Sequence, residues 1–198
     1  MAVRPLQPSD SLEELTRLLH AAYASLAAQG WNFTAADQRV EVTRERLAGA
    51  QGFVAELAGR IVGTVAVRGP KRVSEAYIAD PPPALYTTPG TAILSQLAVH
   101  PDCRGLGLGE RLMDAAEAWA RERGFTQLAL DTAEPAATLR RRYERRGYVM
   151  VGGVQWQGKT YASVLMIKLL GEGGPAYNAH ENQVSYTSCA PTLKSTMS

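Results

Sequence analysis

The stretch Ile93-Leu94-Ser95-Gln96-Leu97-Ala98-Val99, then His100-Pro101-Asp102-Cys103, then Arg104-Gly105-Leu106-Gly107-Leu108-Gly109, decides how this chain is read. An extended apolar run meets a proline, then a glycine-rich turn, and a strongly helical segment follows. A strand, a glycine turn and a helix start together build a cradle for phosphate oxygens. Glycines let the backbone turn tightly with its N–H groups converging. The helix start adds N–H groups without intrahelical partners and a partial positive charge. The spacing G-x-G-x-G is not the dinucleotide-binding fingerprint, and no Lys-Ser/Thr pair closes it as in a P-loop.

Working outward, the helix predicted over 110–122 carries Leu112, Ala116 and Trp119 as one stripe, flanked by Met113 and Ala120. Gly124 is its natural C-cap. A strand follows over 125–131, a short helix over 138–146 ended by Gly147, then strands over 148–154 and 161–169. Toward the N-terminus, a strand over 3–6 leads to a helix starting near Leu12, capped by Ser9 or Asp10. A second helix is expected over 36–47. The strands 53–57 and 61–67 flank Ala58-Gly59-Arg60 as a hairpin. Residues 68–90 hold Pro70, Pro81-Pro82-Pro83 and Pro89, and read as an irregular loop with a short strand around 73–78.

The fold class is α/β, a mixed sheet with helices on both faces, in one domain over 1–170. Residues 171–198, rich in Gly, Ser, Thr, Asn and Pro, read as an irregular tail. The 198 residues suffice for one well-buried core. A formal net charge of +2 gives no argument for nucleic acid. No run suggests a membrane span or a signal peptide, so a cytoplasmic protein is the default expectation. Cys103 and Cys189 fit no disulfide framework, and His20, His100 and His180 make no metal motif. No metal is expected.

The turn resembles the acetyl-coenzyme A signature of the GCN5-related N-acetyltransferase (GNAT) superfamily: Arg or Gln, two residues, Gly, one residue, Gly or Ala. Arg104, Gly107 and Gly109 match it position by position. A second signature of that family ends in a helix with a Tyr followed by a Gly-Phe or Gly-Tyr pair. Tyr143-Glu144-Arg145-Arg146-Gly147-Tyr148 supplies it. The order of elements over roughly 2–170 is similar to the family's, and implies a mostly antiparallel central sheet. The chain departs where many relatives carry an Asn after the fifth strand. Ala136 stands there and offers no side-chain hydrogen bond, while Pro135 is placed to begin the helix.

The resemblance implies transfer of an acetyl group from acetyl-CoA, the co-substrate, to a primary amine that attacks the thioester directly. Leu97, Ala98 and Val99 would pair with the pantetheine arm, and the N–H of Leu97 or Val99 would polarise the thioester carbonyl. Arg104, Gly105, Leu106, Gly107, Leu108, Gly109 and Glu110 would hold the pyrophosphate, with Ala136 beside the arm. Tyr143 would be the general acid, since a hydroxyl with an ordinary pKa of about 10 stays protonated at neutral pH; a Tyr anchoring the helix in the core is the alternative. Glu56 is the nearest candidate base, with Asp80, His100 and a water chain as other routes for the proton. The cluster Arg140-Arg141-Arg142 with Arg145-Arg146 lies either near the cofactor phosphates or on a solvated helix face.

The acceptor site is expected between the first two helices and the proline-rich loop, with Tyr23, Trp31 and Phe33 as an aromatic wall. The acceptor is a small-molecule amine or an amine of a peptide or protein. No nucleic-acid or membrane partner is expected, and relatives commonly form homodimers. An acyl-CoA-binding regulatory module with little turnover, or a transferase for a different acyl-CoA, are the rival readings.

Overall fold

The computed structural model describes residues 2–74 and 80–171. Seven strands form one sheet: β1 (Ala2–Pro5), β2 (Gln51–Leu57), β3 (Arg60–Arg68), β4 (Thr91–Val99), β5 (Gln127–Ala133), β6 (Val149–Val154) and β7 (Ser163–Leu169). Their spatial order is β1-β2-β3-β4-β5-β7-β6. Every neighbouring pair is antiparallel except β4 and β5. The expected mixed, mostly antiparallel sheet is therefore found. The expected hairpin is β2 and β3, closed by Ala58-Gly59.

Helix α1 (Leu12–Ala27) turns Leu15, Leu18, Leu19 and Ala22 inward at helical spacing. Leu15 and Leu18 pack on Val54 of β2, and Leu19 and Ala22 on Ala98 of β4. Ser11 caps this helix, accepting from the Glu14 N–H at 3.2 Å, where Ser9 or Asp10 was expected. Asp10 is occupied otherwise. It pairs with Arg4 at 2.8 Å and accepts the Gln7 N–H at 2.7 Å. The second helix is shorter than its pattern. A 3-10 turn over Thr34–Ala36 is separated from α2 (Val40–Leu47) by residues that leave helical geometry at Asp37 (φ −145°), and Gln38 between them is buried.

A one-turn helix, α3 (Ala84–Thr87), lies in the proline-rich segment where no helix was expected, and it buries Tyr86. Most of the strand expected around 73–78, and the tail from 172 on, lie outside the described residues; Val73 and Ser74 form a turn.

On the opposite face, α4 (Leu108–Glu122) buries Leu108, Leu112, Met113, Ala116 and Ala120 against Val65 and Val67 of β3, Leu94 of β4, and Leu128 and Leu130 of β5. Gly63 lets this helix approach. A Cβ there would lie 2.9 Å from Leu112 Cδ1 and 3.2 Å from the Ala98 carbonyl oxygen. Trp119 sits at the edge of the stripe. It stacks on Phe125 with centroids 5.7 Å apart, and Phe125 lies before the start of β5. Helix α5 (Ala137–Arg145) follows β5. Pro135 does not begin it but lies in the preceding turn, and Ala136 is the N-cap.

Arg146 ties α5 to α4. It bonds Glu110, Asp114 at 2.7 Å and the buried Glu117 at 3.0 Å. Lys168 of β7 reaches Glu117 at 2.7 Å. The Arg cluster is thus divided: Arg146 serves this internal network, and Arg142 lines the cleft described next.

Candidate active site

Strands β4 and β5 pair over Thr91↔Gln127, Ala92↔Leu128 and Ile93↔Ala129, and then part. A bulge accompanies the parting. Thr64 faces Ala98 and Ala66 faces Ser95, so β4 advances three residues while β3 advances two. Gln96 takes up the extra step in the left-handed region, at φ 53°. A bulge bends its strand and re-aims the side chains around it. Beyond Ile93, β4 has no strand partner on its β5 side, so its backbone groups there border a cleft.

That cleft has a volume of about 460 Å³. Seven of the expected site residues line it: Leu97, Ala98, Val99, Arg104, Gly109, Ala136 and Tyr143. They come from β4, the glycine turn and α5, and α1 completes the wall with Ala22, Tyr23 and Leu26. The Tyr23 hydroxyl donates to the Leu97 carbonyl at 3.1 Å, and Arg104 Nη2 to the Ala22 carbonyl at 2.8 Å. Arg104 thus fastens the turn to α1.

The rest of the turn is at the mouth. Gly107 is the N-cap of α4, in the left-handed region at φ 72°, and no side chain caps the helix. The first-turn N–H groups of Leu108, Gly109 and Glu110 therefore have no intrahelical acceptor. Nothing lies within 4 Å of where a Cβ of Gly105 or Gly107 would be. An uncapped helix start under open space fits a pyrophosphate held by backbone donors. Side chains contribute little there: Leu108 is in the core, Leu106 is exposed, and the Glu110 carboxylate is held by Arg146.

Tyr143 stands where the cleft meets a second, smaller cavity of about 70 Å³ and lines both. Its ring packs on Tyr148 at 5.8 Å. Its hydroxyl has no hydrogen-bond partner among the described residues. Burial pushes its pKa well above the ordinary 10.0, and the nearby Tyr23 and Asp131 push the same way. The hydroxyl is held as a proton donor.

The smaller cavity lies between α1, the α1–α2 connection, α2, β4 and β5. Arg46, Ser95, Gln96, Asp131 and Thr132 line it, with Tyr23 and Phe33 of the expected aromatic wall. Phe33 joins Tyr23 at 5.3 Å and Tyr161 at 4.8 Å between centroids. Trp31 faces the larger cleft instead. The outer wall is fastened across the chain. Asn32 Nδ2 donates to the Gly158 carbonyl at 2.8 Å, Thr160 N donates to Asn32 Oδ1 at 2.8 Å, and Lys159 Nζ donates to the Asn32 carbonyl at 2.7 Å.

None of the three expected bases lines either cavity. Glu56 pairs with Arg4 at 3.0 Å across β1 and β2, Asp80 accepts the Gln157 N–H at 2.7 Å, and His100 Nδ1 accepts the Asp102 N–H at 3.3 Å. The carboxylate beside Tyr143 is Asp131. It accepts the Tyr86 hydroxyl at 2.9 Å and the Trp156 indole N–H at 3.1 Å. Its signal in sequence is an acid closing the apolar run Leu128-Ala129-Leu130. Arg46 and Lys159 carry no comparable signal. Among the described residues, no three His, Cys, Asp or Glu side chains cluster as a metal site, and no helix is long and apolar enough to cross a membrane.

The acetyltransferase (GNAT) family profile matches residues 12–148. This chain belongs to that family: it is an N-acetyltransferase, moving an acyl group from an acyl-CoA to an amine. The chain is 29% identical over 164 residues to S-(2-succino)cysteine N-acetyltransferase of Bacillus subtilis (strain 168), covering 80% of this chain and 90% of that one. Its fold is similar to that of the ribosomal-protein-S18-alanine N-acetyltransferase of Escherichia coli, with a TM-score of 0.64 at 15% identity, over 88% of this chain and 97% of the other. It is also similar to the ribosomal-protein-alanine N-acetyltransferase of Brucella melitensis, with a TM-score of 0.59 at 24% identity, over 86% of this chain and all of the other (100%).

Proposed function

We propose that the protein transfers the acetyl group of acetyl-CoA to a primary amine by direct attack on the thioester, with Tyr143 as general acid. The observation that carries this reading is the position of Tyr143, buried and without a hydrogen-bond partner among the described residues, where the two cavities join. The larger cleft suits the pantetheine arm and the smaller cavity the acceptor. Acetyl-CoA supplies an activated acyl carbon. Leu97, Ala98 and Val99 offer a strand edge without a β5 partner, along which the arm extends, and Arg104–Gly109 with the start of α4 offers donors for the pyrophosphate.

The chain's own residues divide the work. The wall at Tyr143 orients amine and thioester toward one another, and orientation of this kind accounts for a large part of such rate gains. The amine nitrogen forms the new N–C bond as the C–S bond breaks. Tyr143 donates its proton to the departing sulfur, which leaves as the thiol. The acceptor ammonium gives one proton to solvent before attack, the nitrogen gives a second to water once the N–C bond has formed, and Tyr143 is reprotonated from solvent. Asp131, rather than Glu56, is the carboxylate placed to meet an acceptor ammonium. The acceptor is a small amine of the amino-acid kind, a reading supported by the curated relative whose name gives S-(2-succino)cysteine as acceptor. The 1–170 segment would act as one catalytic unit.

The test is CoA release from acetyl-CoA against a panel of amines, comparing wild type with Tyr143→Phe. Acceptor-dependent release that falls about 100-fold in the variant, with acetyl-CoA affinity kept, supports the mechanism. An unchanged kcat removes Tyr143 from it.

A further inference from the structure

We infer that the smaller cavity selects an acceptor carrying a free carboxylate beside its amine, an α-amino acid, and that Arg46 receives that carboxylate. This rests on the transferase reading above and names the substrate class of the same site.

Arg46 projects from α2 and lines the cavity, half-buried. Among the described residues no Asp or Glu lies within salt-bridge distance of it, and its one hydrogen bond runs from Nη1 to Gln38 Oε1 at 3.3 Å. Charges withdrawn from water are ordinarily paired. The amide that holds Arg46 is itself locked. Gln38 is buried, and its Nε2 donates to Thr43 Oγ1 at 2.7 Å and to Gln96 Oε1 at 3.0 Å. Thr43 in turn shares a 2.7 Å hydrogen bond with Thr16 of α1. A chain of buried amides and hydroxyls thus fixes one guanidinium at a cavity wall with no carboxylate of the described residues within salt-bridge distance.

A second observation concerns donors other than Arg46. Gln96 and Thr132 line the same cavity, only 5% and 2% exposed. The Gln96 amide nitrogen and the Thr132 hydroxyl are buried without a hydrogen-bond partner among the described residues. Buried donors without acceptors are costly, and each suits an oxygen-rich ligand.

The charges around the cavity fall at two poles. Lys159 Nζ, held at 2.9 Å from Thr34 Oγ1, is a second cation beside it, with Asp37 nearby. Burial pushes the Lys159 ammonium below its ordinary 10.5, which makes an approaching anion welcome. Asp131 supplies the opposite pole, toward Tyr143. A zwitterion with its ammonium toward Asp131 and Tyr143, and its carboxylate toward Arg46, matches both poles. A polyamine would set like charge against Arg46 and Lys159, and the terminal amine of a peptide brings no α-carboxylate. A guanidinium fork pairs two-pronged with a carboxylate, which a lysine cannot copy.

The test compares free amino acids with their own carboxamides as acceptors. The panel is alanine, glutamate and S-(2-succino)cysteine, each as acid and as α-carboxamide, with CoA release as readout. In the wild type, kcat/KM for the acids should exceed that for the amides at least tenfold. Arg46→Met should lower kcat/KM for the acids about 100-fold, mainly through KM, and leave the amides within about threefold. Arg46→Lys should fall between. Acetyl-CoA affinity should not move in either variant. Amides or simple amines used as well as acids by the wild type would overturn the inference while leaving the transferase standing, as would equal losses for acid and amide in Arg46→Met. Acetyl-CoA binding with no CoA release from any amine would instead overturn the transferase reading, and the inference with it.

Discussion

The two walls that meet at Tyr143 are assembled in different ways. The wall proposed for the cofactor is local in its main part: β4, the glycine turn and the first turn of α4 follow one another along Thr91–Val99 and on to Leu108, and α1 and α5 complete it. The wall proposed for the acceptor is gathered from afar. Asn32 holds Gly158 and Thr160, partners 126 and 128 residues away, and Arg46 is steadied through Gln38 and Gln96. The first wall depends on backbone shape, so few side chains matter to it. The second depends on particular side-chain pairs, so single substitutions can reshape it while the fold stays.

The largest expected effect is at the junction, where both walls fail together. Tyr143→Phe should lower kcat about 100-fold with every acceptor while acetyl-CoA Kd stays within about threefold, read by steady-state kinetics and calorimetry. The Tyr143 pKa is raised, so its acid form outlasts the ordinary 10.0. The wild-type kcat should therefore show no loss from Tyr143 ionisation up to about pH 10. A kcat that halves near pH 9 and keeps its limb when other groups are replaced would contradict this.

On the cofactor side alone, Gly107→Val places a β-branched side chain at φ 72°, over the uncapped helix start. KM for acetyl-CoA should rise about tenfold or more, with acceptor KM unchanged. On the acceptor side alone, Asn32→Ala removes the side-chain links to Gly158 and Thr160 and keeps the backbone one to Thr160. Acceptor KM should rise about fivefold and acetyl-CoA KM should stay. If either variant moved both constants equally, the two walls would not be separable.

The smallest effect lies outside both. The Asp10 carboxyl is held below its ordinary 3.8, chiefly by its hydrogen bond from Arg4. A lowered carboxyl stabilises the fold above that ordinary value and loses its contribution as pH falls through the lowered one. The Tm gap between wild type and Asp10→Asn should be constant near neutrality and close below about pH 4.

The same division explains what could be read from the chain. The α1, α4 and hairpin patterns carry their own periodicity, and β4 with the turn carries a signature, so the sheet and the family were legible. Ser11 displaced Ser9 and Asp10 as the cap because Asp10 is drawn to Arg4, a contact no local pattern announces. Glu56 pairs with Arg4 instead of facing Tyr143, for the same reason. Arg46, Asp131 and Lys159 meet only through tertiary packing. Helix α3 escaped notice because prolines mask a single turn whose stability comes from burying Tyr86.

The parting of β4 and β5 has one more consequence. Strands β1 to β4 come from residues before the glycine turn and β5 to β7 from residues after it, and the two sets touch through three residue pairs. Leu106, half exposed, lies between them. A peptide bond cut there would leave every antiparallel ladder whole within one fragment or the other. The two pieces would find each other again through that short parallel seam, the face of α4, and the side-chain links from Asn32 to Gly158 and Thr160 and from Tyr86 to Asp131, which makes this position the natural place to divide the protein into complementing halves.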